Sequence, residues 1–342
     1  MRVRFLSGVP AACFAAKALP KALLLAGGLV WGALAALQGV AAEVAADSFN
    51  IRDPYVLTFP GEGVYRLYEA KPWQGGEGVD VRMSRDLKTW SQPKPALRLP
   101  AELKKQVWAY WAPEVHAYRG KYYLFVTLTF PKSRRGTWIF RSEGPDGPFE
   151  PIADRAVTPA DWMCLDGTLW VEDGKPYIVF CHEWIQVGNG RMMLAPLKED
   201  LSGLAGEPQE LFKATDYAGQ PLKLCEKPRH LDRVTDGPFL YRSPKSGKLF
   251  MVWSNVVMGN GYVDILCESA SGKVSGPWVK HRFLFGRDGG HGMLFRTLQG
   301  QLMLTLHQPN NAPMERMRFF PVEDDGETLR LRDGKCHKRE RK

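Results

Sequence analysis

Residues 166–184 read DGTLWVEDGKPYIVFCHEW: a short apolar run, the pair Asp173-Gly174, then a second apolar run. Glycine supplies the positive φ of a tight hairpin, so the stretch predicts two antiparallel strands joined at Gly174. The arrangement recurs along the chain. Asp53-Pro-Tyr-Val-Leu, Ala112-Pro-Glu-Val-His, Asp166-Gly-Thr-Leu-Trp, Asp236-Gly-Pro-Phe-Leu and His291-Gly-Met-Leu-Phe are analogous anchors, 59, 54, 70 and 55 residues apart. Gly63, Gly120, Gly174, Gly247 and Gly300 follow them, and each glycine precedes a second apolar run, from VYRLYEA to QLMLTLHQP. Third runs come next (VDVRMS, TWIFRS, RMMLAPL, VDILCES and, more weakly, ERMRFFPV), and segments such as DLKTWSQP, DGPFEPI and SGPWVKH suit outer strands. Five units of four strands make an all-β chain, a five-bladed β-propeller.

A ring shares its core between neighbours, so residues 43–334 are expected to be one domain. Only about ten residues separate position 43 from the first anchor, so ring closure is expected to borrow a strand from an end of the chain. The inner strand of each blade lines the central channel, which brings the five anchors to one mouth.

The 342 residues are 44% hydrophobic and 24% charged, which suits a globular protein and not a disordered one. Residues 1–42 read as an export signal: Arg2, Arg4, Lys17 and Lys21, an uncharged run from Ala22 to Leu37, and small residues to Ala42. Export to the periplasm or medium follows, with an uncleaved anchor as the alternative. The net charge of +9 is concentrated at the ends: +4 in the signal and +4 in KCHKRERK, residues 335–342, leaving 9 − 4 − 4 = +1 for the body. A near-neutral body is not a nucleic-acid-binding domain, and the basic tail reads as a solvated end. Cys164, Cys181, Cys225, Cys267 and Cys336 contain no C-x-x-C pair, which argues against zinc or a dense disulfide framework. Cys164 with Cys181 is open between a disulfide and two buried thiols.

Three anchors open on aspartate. Asp-Gly occurs seven times in the chain and is an ordinary turn signal, so letters alone leave Asp166 and Asp236 open between turn-former and site residue. The motifs Arg52-Asp53-Pro54-Tyr55, Trp111-Ala112-Pro113-Glu114-Val115-His116, Leu165-Asp166-Gly167, Thr235-Asp236-Gly237-Pro238 and Gly290-His291-Gly292, in this order, give a pattern that resembles glycoside hydrolase family 43 over roughly residues 50–325.

That resemblance implies an inverting hydrolase with Asp53 as general base, Asp166 as the orienting, pKa-modulating carboxylate and Asp236 as proton donor. Inversion needs one ionised carboxylate to activate water and one protonated acid to help the leaving group depart. Like charges nearby keep an acid protonated, which is a use for the third. The chain departs from the family's commoner pattern in having Asp236 where glutamate is usual, which leaves Glu183 or Glu226 as rival donors. Glu114 reads as a structural or subsite group. In similar enzymes a histidine at the position of His291 helps hold calcium or water on the propeller axis, so Ca2+ is the one ion expected, and no organic cofactor is.

Aromatic faces pack on the C–H faces of sugars, and Trp111, Trp73 and Trp184 are placed for this, whereas Trp90 and Trp278 read as outer-strand core. Arg296 and Glu183 complete the candidate substrate contacts. The expected partner is a plant-type polysaccharide or oligosaccharide with α-L-arabinofuranosidic or β-D-xylosidic bonds, attacked by a monomer. A retaining fructan-active relative would carry an Asn-Asp-Pro nucleophile motif and a Glu-Cys acid in addition to Arg-Asp-Pro, and one Arg-Asp-Pro is present. The remaining alternative is a sugar-binding propeller that has lost catalysis.

Overall fold

The computed structural model describes residues 43–70, 77–131, 134–216 and 232–332. The leader-like residues 1–42, Trp73, Cys225, Glu226 and the basic tail lie outside them.

Five four-stranded antiparallel sheets follow one another along the chain. The inner strands are Tyr55–Phe59, Ala109–Tyr118, Cys164–Glu172, Asp236–Arg242 and Gly290–Arg296. Behind them stand Val64–Ala70, Lys121–Thr129, Lys175–His182, Leu249–Val257 and Leu302–Gln308. Third come Gly78–Ser84, Gly136–Ser142, Arg191–Pro196, Gly261–Ser269 and Arg316–Asp324. The outer strands are Lys94–Arg98, Glu150–Pro151, Gln209–Lys213, Trp278–Phe285 and Leu329–Leu331. This is the five-bladed β-propeller, with Gly63, Gly120, Gly174, Gly247 and Gly300 all at positive φ in the first hairpins.

Two expectations change. Among the described residues no strand is borrowed to close the ring, because the four strands of the first blade, and those of the fifth, each come from one stretch of chain. Hydrogen bonds close it instead: Thr58 Oγ1 donates to Arg296 O at 2.6 Å, Asn50 Nδ2 donates to Pro313 O and Glu315 O at 2.9 and 3.1 Å, and the Ile51 N–H donates to Glu315 O at 3.3 Å. In blade one, DLKTWSQP does not supply the outer strand. Thr89–Trp90 pairs with Val44–Ala45 in a separate two-stranded sheet, and Lys94–Arg98 takes the outer position.

Apolar side chains fill the spaces between blades. Val56, Leu67, Leu124 and Phe140 pack in one cluster, Val179, Met251, Trp253 and Trp278 in another. Trp90 and Trp278 are buried, as read from the sequence. Cys164, Cys181 and Cys267 are buried free thiols, so the Cys164–Cys181 alternative resolves against a disulfide. Among the described residues no helix is long and apolar enough to cross a membrane.

Candidate active site

Four of the five inner strands are broken where they reach the channel mouth. Register shifts fall between Trp111 and Glu114, Leu165 and Thr168, Asp236 and Phe239, and Gly290 and Met293. The residue in the left-handed region is Asp53 (φ 51°), Ala112 (46°), Asp166 (54°), Gly237 (49°) and His291 (56°). A left-handed residue in a strand re-aims the side chain and stops regular pairing, and its strain persists only where the surroundings enforce it.

This geometry corrects the blade-four anchor by one position. The equivalent of Asp53, Asp166 and His291 is Gly237, and Asp236 shares its place with Arg52, Trp111 and Leu165. Glycine is required there: a Cβ on Gly237 would lie 2.8 Å from His291 Cδ2. Asp236 therefore belongs to a tier of side chains one residue nearer the solvent than the other two aspartates.

The anchors are held from the preceding blade. The Asp166 N–H donates to Thr127 Oγ1 at 2.9 Å, the His291 N–H to Ser254 Oγ at 2.7 Å and the Asp53 N–H to His307 Nδ1 at 3.3 Å. Thr127, Ser254 and His307 each lie seven residues past the turn glycine of their hairpin. That common offset is the signal by which the sequence could have revealed them.

Asp53, Asp166, Asp236 and His291 line one cavity of about 400 Å3, with Trp111, Glu183 and Trp184 among its other walls. Arg52, Arg135, Tyr262 and Asn310 also line it and were not singled out from the sequence. Arg296 does not line it: five residues beyond His291, it sits about 16 Å along the strand. Its guanidinium donates to Gly300 O and to the Tyr241 hydroxyl, each at 3.1 Å. Trp73 lies outside the described residues.

The carboxyl groups are in contrasting environments. Asp53 Oδ1 lies 3.3 Å from His291 Nδ1, 3.2 Å from His307 Nδ1 and 3.8 Å from Arg52 Nε. Burial alone would raise the Asp53 pKa, but these groups outweigh it and hold the carboxyl well below the usual carboxylate range. Asp166 is pushed up to about 8 by burial, which prevails over the opposing pull of His291 and of the Gly237 N–H on its Oδ2, with the charges of Asp236 and Asp53 adding to the rise. Burial also raises Asp236, against His291 and against the Tyr262 hydroxyl donated to its Oδ2 at 3.0 Å. His291 is held above its ordinary value: burial pulls it down, but Asp53, Asp166 and Asp236 surround it. One carboxyl held well below the usual carboxylate range, beside an imidazole held above its ordinary value, thus faces two carboxyls whose pKa values are raised.

Glu183 closes the hairpin of blade three and is buried beside Arg135, whose Nη1 donates to its Oε1 at 3.0 Å. Arg135 in turn lies 4.4 Å over the Trp111 ring. Glu114 is paired with His116 at 3.0 Å and does not line the cavity, in keeping with a structural part.

Calcium binds six to eight oxygens. Below His291 a space of about 10 Å3 is lined by Asp53, Glu114 and His291, room for one water. Among the described residues no group of three or more His, Cys, Asp or Glu is arranged to hold a metal. The donors described around His291 do not by themselves complete a calcium shell, and no chemistry below passes through a metal.

A family-level sequence profile described as glycosyl hydrolases family 43 matches residues 48–326. An endo-arabinase from Bacteroides thetaiotaomicron is 35% identical, with a TM-score of 0.72, covering 83% of this chain and 98% of that one. An endo-1,4-beta-xylanase from the same organism is 22% identical (TM-score 0.65; 83% and 94% covered). An alpha-L-arabinofuranosidase from Lactobacillus brevis is 17% identical (TM-score 0.65; 84% and 97%). The last two share the fold. No curated protein sequence matches the chain.

Proposed function

The chain belongs to glycosyl hydrolases family 43, and on that premise we propose that it inverts and hydrolyses α-L-arabinofuranosidic bonds of plant-type arabinan or its oligosaccharides. The observation that carries the reading is the split among carboxyls around one cavity: Asp53 is held well below the usual carboxylate range, while Asp166 is pushed up to about 8 and Asp236 is shifted in the same direction. Arabinan is favoured over xylan because the relative at 35% identity is named an endo-arabinase.

In this reading Asp53 takes a proton from a water, and the water oxygen attacks the anomeric carbon from the face opposite the leaving group. The glycosidic bond breaks, and the departing oxygen collects a proton from an acid across the cavity. His291 and Arg52 keep Asp53 ionised before attack. Asp166 stays protonated and turns its Oδ2 to the Gly237 N–H, so it sets the charge of the site. Asp236 occupies the donor's place in the family pattern, and Glu183 stands beyond it on the same side. Trp111 and Trp184 offer apolar faces to the sugar rings.

Incubating the protein with linear arabinan and, in parallel, with xylan tests the reading. Arabinose or arabino-oligosaccharides are expected from the first, and Asp53→Asn should lower that rate by at least about 10². Release of xylose alone, or full activity in Asp53→Asn, contradicts it.

A further inference from the structure

Glu183 is an acid whose Oε1 is occupied and whose Oε2 is not. Arg135 Nη1 donates to Oε1 at 3.0 Å, while Oε2 is buried and has no hydrogen-bond partner among the described residues. Orphaned polar atoms in a folded protein are rare and need a reason, and an acid waiting for an acceptor is one. A protonated Oε2 has a hydrogen to give and nothing on the protein to give it to.

Its position suits that use. Cys181 pairs with Leu165 and His182 with Cys164, and the Glu183 N–H donates to Met163 O at 2.8 Å. Glu183 thus stands three residues mouthward of the Asp166 level, which Asp53 shares by blade symmetry. Three residues of strand rise about 10 Å between the two backbone levels, and both side chains reach the wall of the one cavity. Trp111, beneath Arg135, and Trp184, the next residue, line the cavity beside it, where a leaving sugar would sit. Asp236 stands in the tier below, where its Oδ2 accepts the Tyr262 hydroxyl at 3.0 Å.

Resting on the hydrolase reading above, we propose that Glu183, and not Asp236, is the proton donor to the leaving oxygen, through its unpartnered Oε2. The step balances. The C–O bond breaks with its electron pair on the leaving oxygen, which takes the Oε2 proton. Water forms the new C–O bond and gives its proton to Asp53. Glu183 ends ionised and paired to Arg135, Asp53 ends protonated, and exchange with solvent resets both. The neighbours support the assignment. Burial pushes the Glu183 carboxyl up to about 7 despite Arg135, and the charge of Asp236 adds to the rise. The charged or titratable groups acting on Glu183 are Arg135, Asp236 and the buried Cys164 thiol.

Leaving-group dependence tests the proposal. Wild type, Glu183→Gln and Asp236→Asn are assayed on arabino-oligosaccharide and on 2,4-dinitrophenyl α-L-arabinofuranoside, whose phenolate departs unprotonated. Glu183→Gln should lose about 10²- to 10⁴-fold in kcat on the oligosaccharide and less than about tenfold on the aryl substrate. It should also lose the alkaline limb of its pH profile, while Asp236→Asn loses rate on both substrates alike and keeps the limb. Tryptophan fluorescence titrated with oligosaccharide shows that each variant still folds and binds. If Glu183→Gln fails to fold, Glu183→Asp is read in the same way. Equal losses on both substrates for the Glu183 variant, or leaving-group dependence in Asp236→Asn, overturns the proposal. A wild type inert on both substrates overturns instead the hydrolase reading beneath it.

Discussion

Asp53 and Asp166 occupy equivalent places in blades one and three, with φ of 51° and 54°, yet they are driven to opposite protonation states. Neighbours decide. Asp53 has two imidazoles and a guanidinium within 3.8 Å, whereas the Asp166 Oδ2 has one N–H at 3.0 Å and its imidazole at 3.9 Å. This contrast predicts a pH dependence of stability. An unfolded aspartate titrates near 3.9, but folded Asp166 keeps its proton up to about 8. Its contribution is therefore fully present below about pH 4 and is lost as pH rises through about 8. His291, held above its ordinary value, acts in the same direction, and Asp53, held low, acts only in acid. Asp166→Asn should remove the Asp166 part, so the melting temperature of the variant relative to wild type should climb between pH 5 and pH 8. Each kcal/mol is worth roughly 2 °C in a domain of this size. A relative melting temperature that is flat or falls over that range would show that Asp166 is ionised in the folded protein. Asp53 and Asp166 were legible as sequence because their motifs sit in register. Asp236 misled by one residue: its Asp-Gly matched Asp166-Gly167 by letters, while Pro238, aligned with Pro54 and Pro113, marked Gly237 as the true anchor.

The inner strands carry the site because a left-handed residue stands at the same place in each blade. Only glycine serves in blade four, where a φ of 49° coincides with the His291 ring packed on the missing Cβ. Gly237→Ala should push that ring away from its position between Asp53 and Asp166. The expected outcome is a fall in kcat of at least tenfold, with a stability loss of about 1–3 kcal/mol, the usual cost of a strained non-glycine residue. Denaturant unfolding alongside steady-state kinetics checks it, and an unaltered kcat would mean that the ring's placement does not matter. The supporting side chains were harder to read. Thr127, Ser254 and His307 share no chemistry that a motif could record, and only their common distance of seven residues from a turn glycine links them. Arg135 was invisible for another reason. It enters from the third strand's approach in blade two to meet Glu183 in blade three, a contact between blades that no local pattern encodes.

At the scale of the whole ring, fivefold repetition was the most legible feature, since turn glycines and period-two strands are local. Closure was not, because it depends on pairs more than 200 residues apart, such as Thr58 with Arg296 and Asn50 with Glu315. The ring's consequence is chemical. Asp53 and Glu183 come from blades one and three, which have blade two between them, and the ring brings both to the wall of one cavity. On the proposed reading, water displaces the leaving group directly, with no glycosyl-enzyme intermediate. Proton NMR of the first sugar released from an α-L-arabinofuranoside, recorded before mutarotation, tests this most directly. The predicted product is the β-anomer, formed in a single inverting step with Asp53 as base; release of the α-anomer first would make Asp53 a nucleophile and contradict the account.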